Sequence, residues 1–310
     1  MHDHHDHEHH HHHHSDAPAV NPSTLDDTQA ICPVTGDVVV KAEAEALGHS
    51  RTHNGQTYYF CCATCVQLFD KNPEKYTHQT HDTDTLTLES KENLVDNVWS
   101  FRFTAHTPTT WTPGQFIRVE LPHDNPDDEG TKRWFTISST PHDGYIQITT
   151  RVTDTTFKQA LSALPVGGTI NLVEQPDGDF VWQESDKPLV FVAGGIGITP
   201  FYSMLKARGH SGQSVLATLI YNGRTDELPF KAEFDEASKR HPEFHVHYVI
   251  GEQLTVDKLK RIVPELAVSE VYVSGPEPMV EALGEQLRAS GIEDQKLHED
   301  FFPRYNKDTY

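Results

Sequence analysis

Residues 188–208 read PLVFVAGGIGITPFYSMLKAR. PLVFVAG is an apolar run without alternation, the pattern of a parallel strand covered on both faces. Gly194, Gly195 and Gly197 interrupt it, and Thr199-Pro200 open a stretch of helical character. Glycine lets the backbone turn tightly and approach a pyrophosphate with no Cβ in the way. Thr199 suits a helix cap and Pro200 a first turn, which leaves free N–H groups and the positive helix end for phosphate oxygens. A glycine turn alone is a weak signal, because tight strand–helix packing asks for the same residues. Here it follows a buried strand and opens a helix, which is the right context.

Downstream the chain alternates strand and helix: VLATLIYN, KAEFDEASKR, HVHYVIG, TVDKLKRIV, EVYVSG and MVEALGEQLRAS. That alternation predicts a doubly wound α/β domain with a Rossmann-like parallel sheet over 186–310. A second turn, Ser274-Gly275-Pro276-Glu277-Pro278-Met279, closes the last of these strands. Ligands of open α/β sheets bind beyond the carboxyl ends of strands, so the two turns point to one crevice. An ordinary strand–helix turn would read the same at Ser274. Upstream, residues 82–185 alternate apolar and polar positions in short runs (TLTLES, VWSFRFTA, FIRVELP, YIQITTRV, TINLVEQ), which predicts an antiparallel β-barrel. HDNPDDEGTK, residues 123–132, is an acidic loop within it. Residues 29–80 form a small Cys-rich α+β module ending in FDKNPEKY, a short helix stopped at Asn72-Pro73.

The formal net charge of −21 argues against nucleic acid and anionic membrane surfaces as partners. No apolar run approaches the roughly 18 residues of a transmembrane helix. With four cysteines and no secretory signal, a reducing compartment, the cytoplasm, is expected. The first fourteen residues contain ten histidines interleaved with Asp and Glu. They read either as a purification tag or as a native arm capturing Zn, Cu or Ni, and 1–28 is expected to be disordered.

GGIGITP and VSGPEPMV, in this order, resemble the NAD(P)H-binding half of the ferredoxin–NADP reductase superfamily. Arg133-Trp134-Phe135-Thr136 stands in the barrel where that family binds flavin. TPGQF, TTFKQAL, LPVGGTI and PDGDF match in order, so the resemblance covers about 84–305. It implies an FAD-dependent NAD(P)H oxidoreductase. Along a strand Arg133 and Phe135 face one way, Trp134 and Thr136 the other, and a guanidinium suits bidentate phosphate binding. The resemblance puts Arg133 on the FAD pyrophosphate, Phe135 against the flavin and Thr136 near its N5, with Trp134 beside them. RVTDTTFKQAL (151–161) resembles the family's second FAD motif, which brings in Thr149, Arg151, Thr155 and Thr156; Asp154 or Thr155 is expected to cap a helix starting near Thr156. Gly194, Gly195, Gly197, Thr199, Pro200, Gly275, Pro276 and Met279 would hold the nicotinamide nucleotide. Ser274 stands beside the nicotinamide, where relatives often carry Cys. In Glu299–Tyr305 the aromatic covering the flavin is Phe302, or else Tyr305, and Arg304 replaces a usual Gly. Arg224 can meet a 2′-phosphate, meet a pyrophosphate, or pair with Asp226, which leaves NADH and NADPH open.

A plant-type two-iron cluster needs C-x4-C-x2-C plus a distant cysteine. Cys32, Cys61, Cys62 and Cys65 have the wrong spacing, so no iron–sulfur cluster is expected. Residues 30–76 instead resemble the YHS domain, with Thr35 in CPVTG where relatives commonly read CPVCG. The resemblance implies a thiolate site for Zn or Cu among Cys32, Cys61, Cys62 and Cys65, in which the fourth place falls to Cys62, to a histidine such as His49 or His53, or stays open. Cysteines that merely fill a small core are the plainer alternative. The electron acceptor reads as a metal ion, or as a ferredoxin, flavodoxin or membrane partner with the module as a docking or sensing appendage. A metal chaperone or buffer is a third reading.

Overall fold

The computed structural model describes residues 28–35, 37–53, 55–73, 76, 84–127 and 130–302, with Phe302 described by its backbone only. The expected disorder of 1–27, and the readings of Arg304 and Tyr305, lie outside the described residues. The chain divides into two compact units, Met1–Asp82 and Thr83–Tyr310. Among the described residues no helix is long and apolar enough to cross a membrane.

In the first unit, β1 (Gln29–Ile31) and β2 (Val38–Val40) form an antiparallel pair, followed by α1 (Lys41–Ala46). A second hairpin, β3 (Ser50–His53) and β4 (Gln56–Tyr59), leads into α2 (Ala63–Lys71). Asn72 caps α2 at its carboxyl end, where Asn72-Pro73 predicted the stop. The buried core is Cys32, Val39, Ala44, Phe60, Cys65, Val66 and Phe69. A core this small buries little apolar surface, so sulfur atoms make up a sizeable share of it.

The second unit begins with β5 (Asp84–Val95), β6 (Val98–Ala105), β7 (Phe116–Glu120), β8 (Lys132–Thr136) and β9 (Ile146–Arg151), then α3 (Thr156–Ala163) and β10 (Thr169–Asp177). The sheet order is β8-β7-β10-β5-β6-β9, all antiparallel. It curls on itself: just past β8, Ile137 bridges Ile148 of β9. Alternate residues such as Leu86, Leu88, Phe101, Phe103, Ile117 and Val119 fill its interior, which is the predicted antiparallel barrel.

The remainder alternates as expected: β11 (Leu189–Gly194), α4 (Thr199–Ser211), β12 (Ala217–Gly223), α5 (Lys231–Arg240), β13 (Phe244–Ile250), α6 (Val256–Ile262), β14 (Glu270–Pro276) and α7 (Glu277–Ala289). One further strand, β15 (Leu297–Phe302), closes the chain and was not read from the sequence. The parallel order is β13-β12-β11-β14-β15. β11 is buried at every position because its residues feed two cores: Phe191 and Ala193 pack on one face of the sheet, Val190 and Val192 on the other.

Thr199 corrects one expectation. It is the first helical residue rather than the cap, and its hydroxyl donates back to the Ile196 carbonyl at 3.1 Å. Pro200 sits in the first turn, as predicted.

Candidate functional site

The two glycine turns meet. A Cβ on Gly197 would stand 2.2 Å from the Ser274 carbonyl oxygen and 2.6 Å from Gly275 Cα. Gly197 is therefore needed so that the turn after β11 can press on the turn after β14, and Gly195 supplies the positive φ of 52° that bends the chain there. This backbone contact brings the turn of Gly194, Gly195 and Gly197 against Gly275.

Beyond the carboxyl ends of β12, β13 and β14 lies a cleft of about 410 Å³ lined by Gly223, Arg224, Glu252, Pro276, Met279 and Gln286, among others. Asn222 pins its far wall by donating to the Val249 carbonyl at 2.8 Å and the Glu252 carbonyl at 2.9 Å. The Glu252 carboxylate is held below the ordinary range by the hydrogen bond from Lys258. The cleft thus offers one guanidinium and one ionised carboxylate to a nucleotide. Glu252 was invisible in the sequence, because nothing near GEQL marks it.

At the other side of Gly275, Ser274 is fully buried and donates to Asp300 Oδ2 at 3.0 Å. The register Ser274↔Asp300, Gly275↔Phe301 places the C-terminal strand beside the turn. Burial pushes the Asp300 carboxyl up to about 6, against the lowering effect of the Ser274 hydrogen bond, and Asp179 adds to the rise. Phe301 is 46% exposed, an unusual position for a large aromatic at a strand end. The sequence reading favoured Phe302, whose side chain lies outside the described residues.

In the barrel, β8 pairs with β7 so that Phe135 lies opposite Ile117 and Trp134 opposite Arg118. The predicted alternation holds, with a consequence for stacking. Phe135 is only 7% exposed and packs at 5.9 Å on Phe157 of α3. Trp134 is 45% exposed, edge-on to Phe116 at 5.1 Å and under the Arg118 guanidinium at 5.2 Å. Thr136 is buried at the end of the strand. The Arg133 guanidinium lies 5.1 Å from the Phe157 ring centre, is paired to Asp127 at 2.5 Å, and donates to the Gly130 carbonyl at 3.0 Å.

Thr155 is the N-cap of α3, as expected, but its hydroxyl makes no capping bond, which leaves the first-turn N–H groups unclaimed by it. Thr156 Oγ1 is buried and finds no hydrogen-bond partner among the described residues. The same is true of His123 Nε2, whose ring stands edge-on to Phe157 at 6.1 Å. A guanidinium, an orphaned hydroxyl and a helix start around one aromatic ring are what a dinucleotide pyrophosphate would complete. Thr149 is different: its hydroxyl is hydrogen-bonded to Ser100 at 2.7 Å and Ser138 at 2.8 Å inside the barrel wall. Arg151 donates to Asn97 Oδ1 at 2.5 Å.

In the first unit, Cys32 follows β1, Cys61 and Cys62 follow β4, and Cys65 lies in the first turn of α2. The Sγ atoms of Cys32, Cys61 and Cys65 all lie within 4.8 Å of one another. Cys62 is exposed and its Sγ is 3.5 Å from that of Cys65, but it is not one of the three. Thr35 Oγ1 stands 3.4 Å from Cys61 Sγ. His49 and His53 do not join the sulfur group. Burial pushes Cys61 up to about 11 and Cys65 further still. Burial also raises Cys32, but hydrogen bonds from the Thr35 side chain and nearby backbone amides outweigh it and hold that thiol low. Each pair of thiolates at this separation would repel by about 3.5–5 kcal/mol at an effective dielectric of ~20. The trio can be fully ionised only around a cation.

Comparison with known proteins gives residues 85–182 as an oxidoreductase FAD-binding domain, 191–285 as an oxidoreductase NAD-binding domain and 33–80 as a YHS domain. A glycine betaine monooxygenase reductase subunit from Chromohalobacter salexigens is 30% identical over 67% of this chain and 62% of that protein. Flavohemoprotein A of Dictyostelium discoideum is 26% identical over 71% of this chain and 60% of that protein. The chain thus spans about 60% of the length of these curated relatives. The flavohem-like FAD/NAD-binding domain of a nitric oxide dioxygenase from Vibrio cholerae superposes with a TM-score of 0.63 at 20% identity, covering 72% of this chain and 99% of that one. Ferredoxin–NADP+ reductase from Plasmodium falciparum gives 0.62 at 16% identity, covering 73% and 98%.

Proposed function

The chain belongs to the ferredoxin reductase family of FAD- and NAD-binding oxidoreductases, and on that premise we propose that it passes electrons from NAD(P)H to a thiophilic metal ion handled by its first unit. The observation that carries this reading is the trio Cys32, Cys61 and Cys65 in the same chain as the reductase. Bound FAD supplies the conversion of a hydride into two single electrons. In this reading Arg133, Thr156 and the start of α3 hold the FAD pyrophosphate, and Asp127 must release the guanidinium when they do. Phe135 or Trp134 lies against the flavin, with Thr136 at its edge. The turn Gly194–Gly197 and the turn at Gly275 orient the nicotinamide, because hydride transfer asks for close positioning rather than acid–base groups. Ser274 and Asp300 stand beside it, and Phe301 or Phe302 covers the flavin until the nicotinamide arrives.

The balance is simple: one NAD(P)H and two Cu(II) give NAD(P)+, a proton and two Cu(I). The test is stopped-flow reoxidation of the NAD(P)H-reduced full chain by Cu(II), Fe(III) or ferredoxin, with Cys61→Ser as the comparison. Equal rates with Cu(II) in both proteins would remove the first unit from the reaction.

A rival reading rests on relatives such as the glycine betaine monooxygenase reductase subunit: the acceptor is a protein partner such as an oxygenase or ferredoxin, and the first unit docks or senses. Faster reoxidation by ferredoxin than by any metal ion would favour it. The unbridged cysteines suit a reducing compartment, so the cytoplasm is the proposed location.

A further inference from the structure

We propose that the first unit is a three-thiolate site for Cu(I), built by Cys32, Cys61 and Cys65, with Cys62 outside the set as the exposed thiol through which the ion is loaded. The inference rests on reading that unit as metal-binding, and sharpens it to one ion and one coordination number.

The ligand count comes from the geometry. Three sulfurs lie within 4.8 Å of one another, whereas Cys62 Sγ meets Cys65, at 3.5 Å, without joining that mutually close set. Cys61 and Cys62 are both exposed and both reach Cys65, at 3.5 Å each, but only Cys61 also stands close to Cys32; Cys62 is the extended N-cap of α2. The place next to Cys61 is filled by the Thr35 hydroxyl at 3.4 Å, a neutral oxygen and a poor ligand for a soft ion. Among the described residues no imidazole completes the group, and His49 Nδ1 is buried without a partner there.

The spacing also fits. An ion about 2.3 Å from three sulfurs, lying in their plane, separates them by roughly 4 Å. The three atoms already lie inside a 4.8 Å limit, and the Cys61–Cys65 edge, at 3.5 Å, needs to open by only about half an ångström. Zn(II) in structural sites takes four donors in a tetrahedron, and three sulfurs leave it one short. Cu(I) is a closed-shell soft ion satisfied by three thiolates, and soft thiolates favour it. Cys32 and Cys65 are buried against Phe60 and Phe69, which shields a bound ion from water and oxidants on that side. Cys62 is exposed and 3.5 Å from Cys65 Sγ, close enough to pass an ion to it by thiolate exchange.

The test is an anaerobic titration of the purified full chain with Cu(I), in competition with a chromophoric Cu(I) chelator. A parallel titration uses Zn(II) and a zinc chelator. Thiolate-to-copper absorption in the ultraviolet and X-ray absorption at the copper edge separate sulfur ligation from capture by the His-rich arm. The expected result is one Cu(I) bound by three sulfurs. Its affinity should fall in Cys32→Ser and Cys65→Ser by more than the ~100-fold typical of losing an outer-shell partner, while Cys62→Ser loads more slowly but holds the ion as tightly. Thr35→Cys, which removes no thiol, should gain sulfur-ligated Zn(II). Four sulfurs on copper, or Zn(II) held through sulfur by the wild type as tightly as Cu(I), would overturn the three-thiolate claim while leaving a metal-binding unit. No sulfur ligation of either ion would overturn both.

Discussion

Asp300→Asn isolates the one carboxyl that the fold holds against its charge. Asp300 is partly buried and pushed to about 6, from an ordinary value of 3.8. A carboxyl whose folded pKa is raised favours the protonated form. Its contribution is intact below pH ~4, is lost as pH rises through ~6, and stays lost above. The 2.2-unit gap corresponds to at most ~3 kcal/mol, less whatever solvent reaches the group. Asparagine has the same shape, still accepts from Ser274 through Oδ1, and never ionises. At pH 8 the variant should therefore be more stable than wild type by up to ~3 kcal/mol, and at pH 4 about equal. All four tryptophans, at 99, 111, 134 and 182, lie in the second unit, so their fluorescence reports that unit alone. For a unit of this size the gain at pH 8 amounts to roughly 6–12 °C in Tm. Comparing the two proteins at each pH cancels the titration of every other carboxylate. A difference that stays flat from pH 4 to 8 would mean Asp300 is ionised in the fold and the argument is wrong.

Arg133→Ala removes a charged partner of the FAD pyrophosphate and should weaken FAD by about 1.5–3 kcal/mol, roughly 10- to 150-fold, read by the rise of free-flavin fluorescence on dilution. Asp127→Asn should act oppositely and tighten FAD, since it frees the guanidinium from its 2.5 Å pairing; unchanged affinity would show that this pair does not compete with the cofactor. Gly197→Ala puts a methyl 2.2 Å from the Ser274 carbonyl, so the turn must shift, and NAD(P)H reduction of the flavin should slow while FAD content is kept. Glu252→Gln removes the carboxylate from the nucleotide cleft and should move kcat/KM toward NADPH relative to NADH, because a 2′-phosphate no longer meets a negative charge. An unchanged ratio would place the ribose elsewhere.

Much of this was legible because local pattern and long-range packing agree. The unalternating run 189–194 reads as a doubly covered strand because its residues do feed two cores, and the alternation in 116–120 and 132–136 gave the inward and outward faces of the barrel. What escaped depends on partners distant in sequence. β15 has no periodicity of its own and exists because β14 offers an edge for LHEDFF to join. Asp300 is an unremarkable residue until Ser274, 26 positions away, and Asp179 surround it. Gly197 was marked correctly as special, but for a ligand; the atom it makes room for is the backbone of Ser274. The hydrogen bonds of the Thr149 hydroxyl to Ser100 and Ser138 likewise join residues that only the barrel brings together.

The cysteines show the same division from the other side. Four thiols and a missing CPVCG cysteine are sequence facts, but coordination number is not, because CC at 61–62 can present either sulfur inward. In the structure Cys62 is the extended N-cap of α2, φ −156° and ψ 168°, and Cys61 is the one grouped with both Cys32 and Cys65. Thr35 then matters doubly. It withholds a fourth thiolate, and its hydroxyl helps hold the Cys32 thiol low while desolvation raises Cys61 and Cys65. A cation bound by these sulfurs as thiolates would displace their protons, so its binding would be favoured by higher pH. Thr35, where relatives commonly read Cys, thus bears on the proposed site twice, through the thiolate it withholds and through its hydrogen bond beside Cys61.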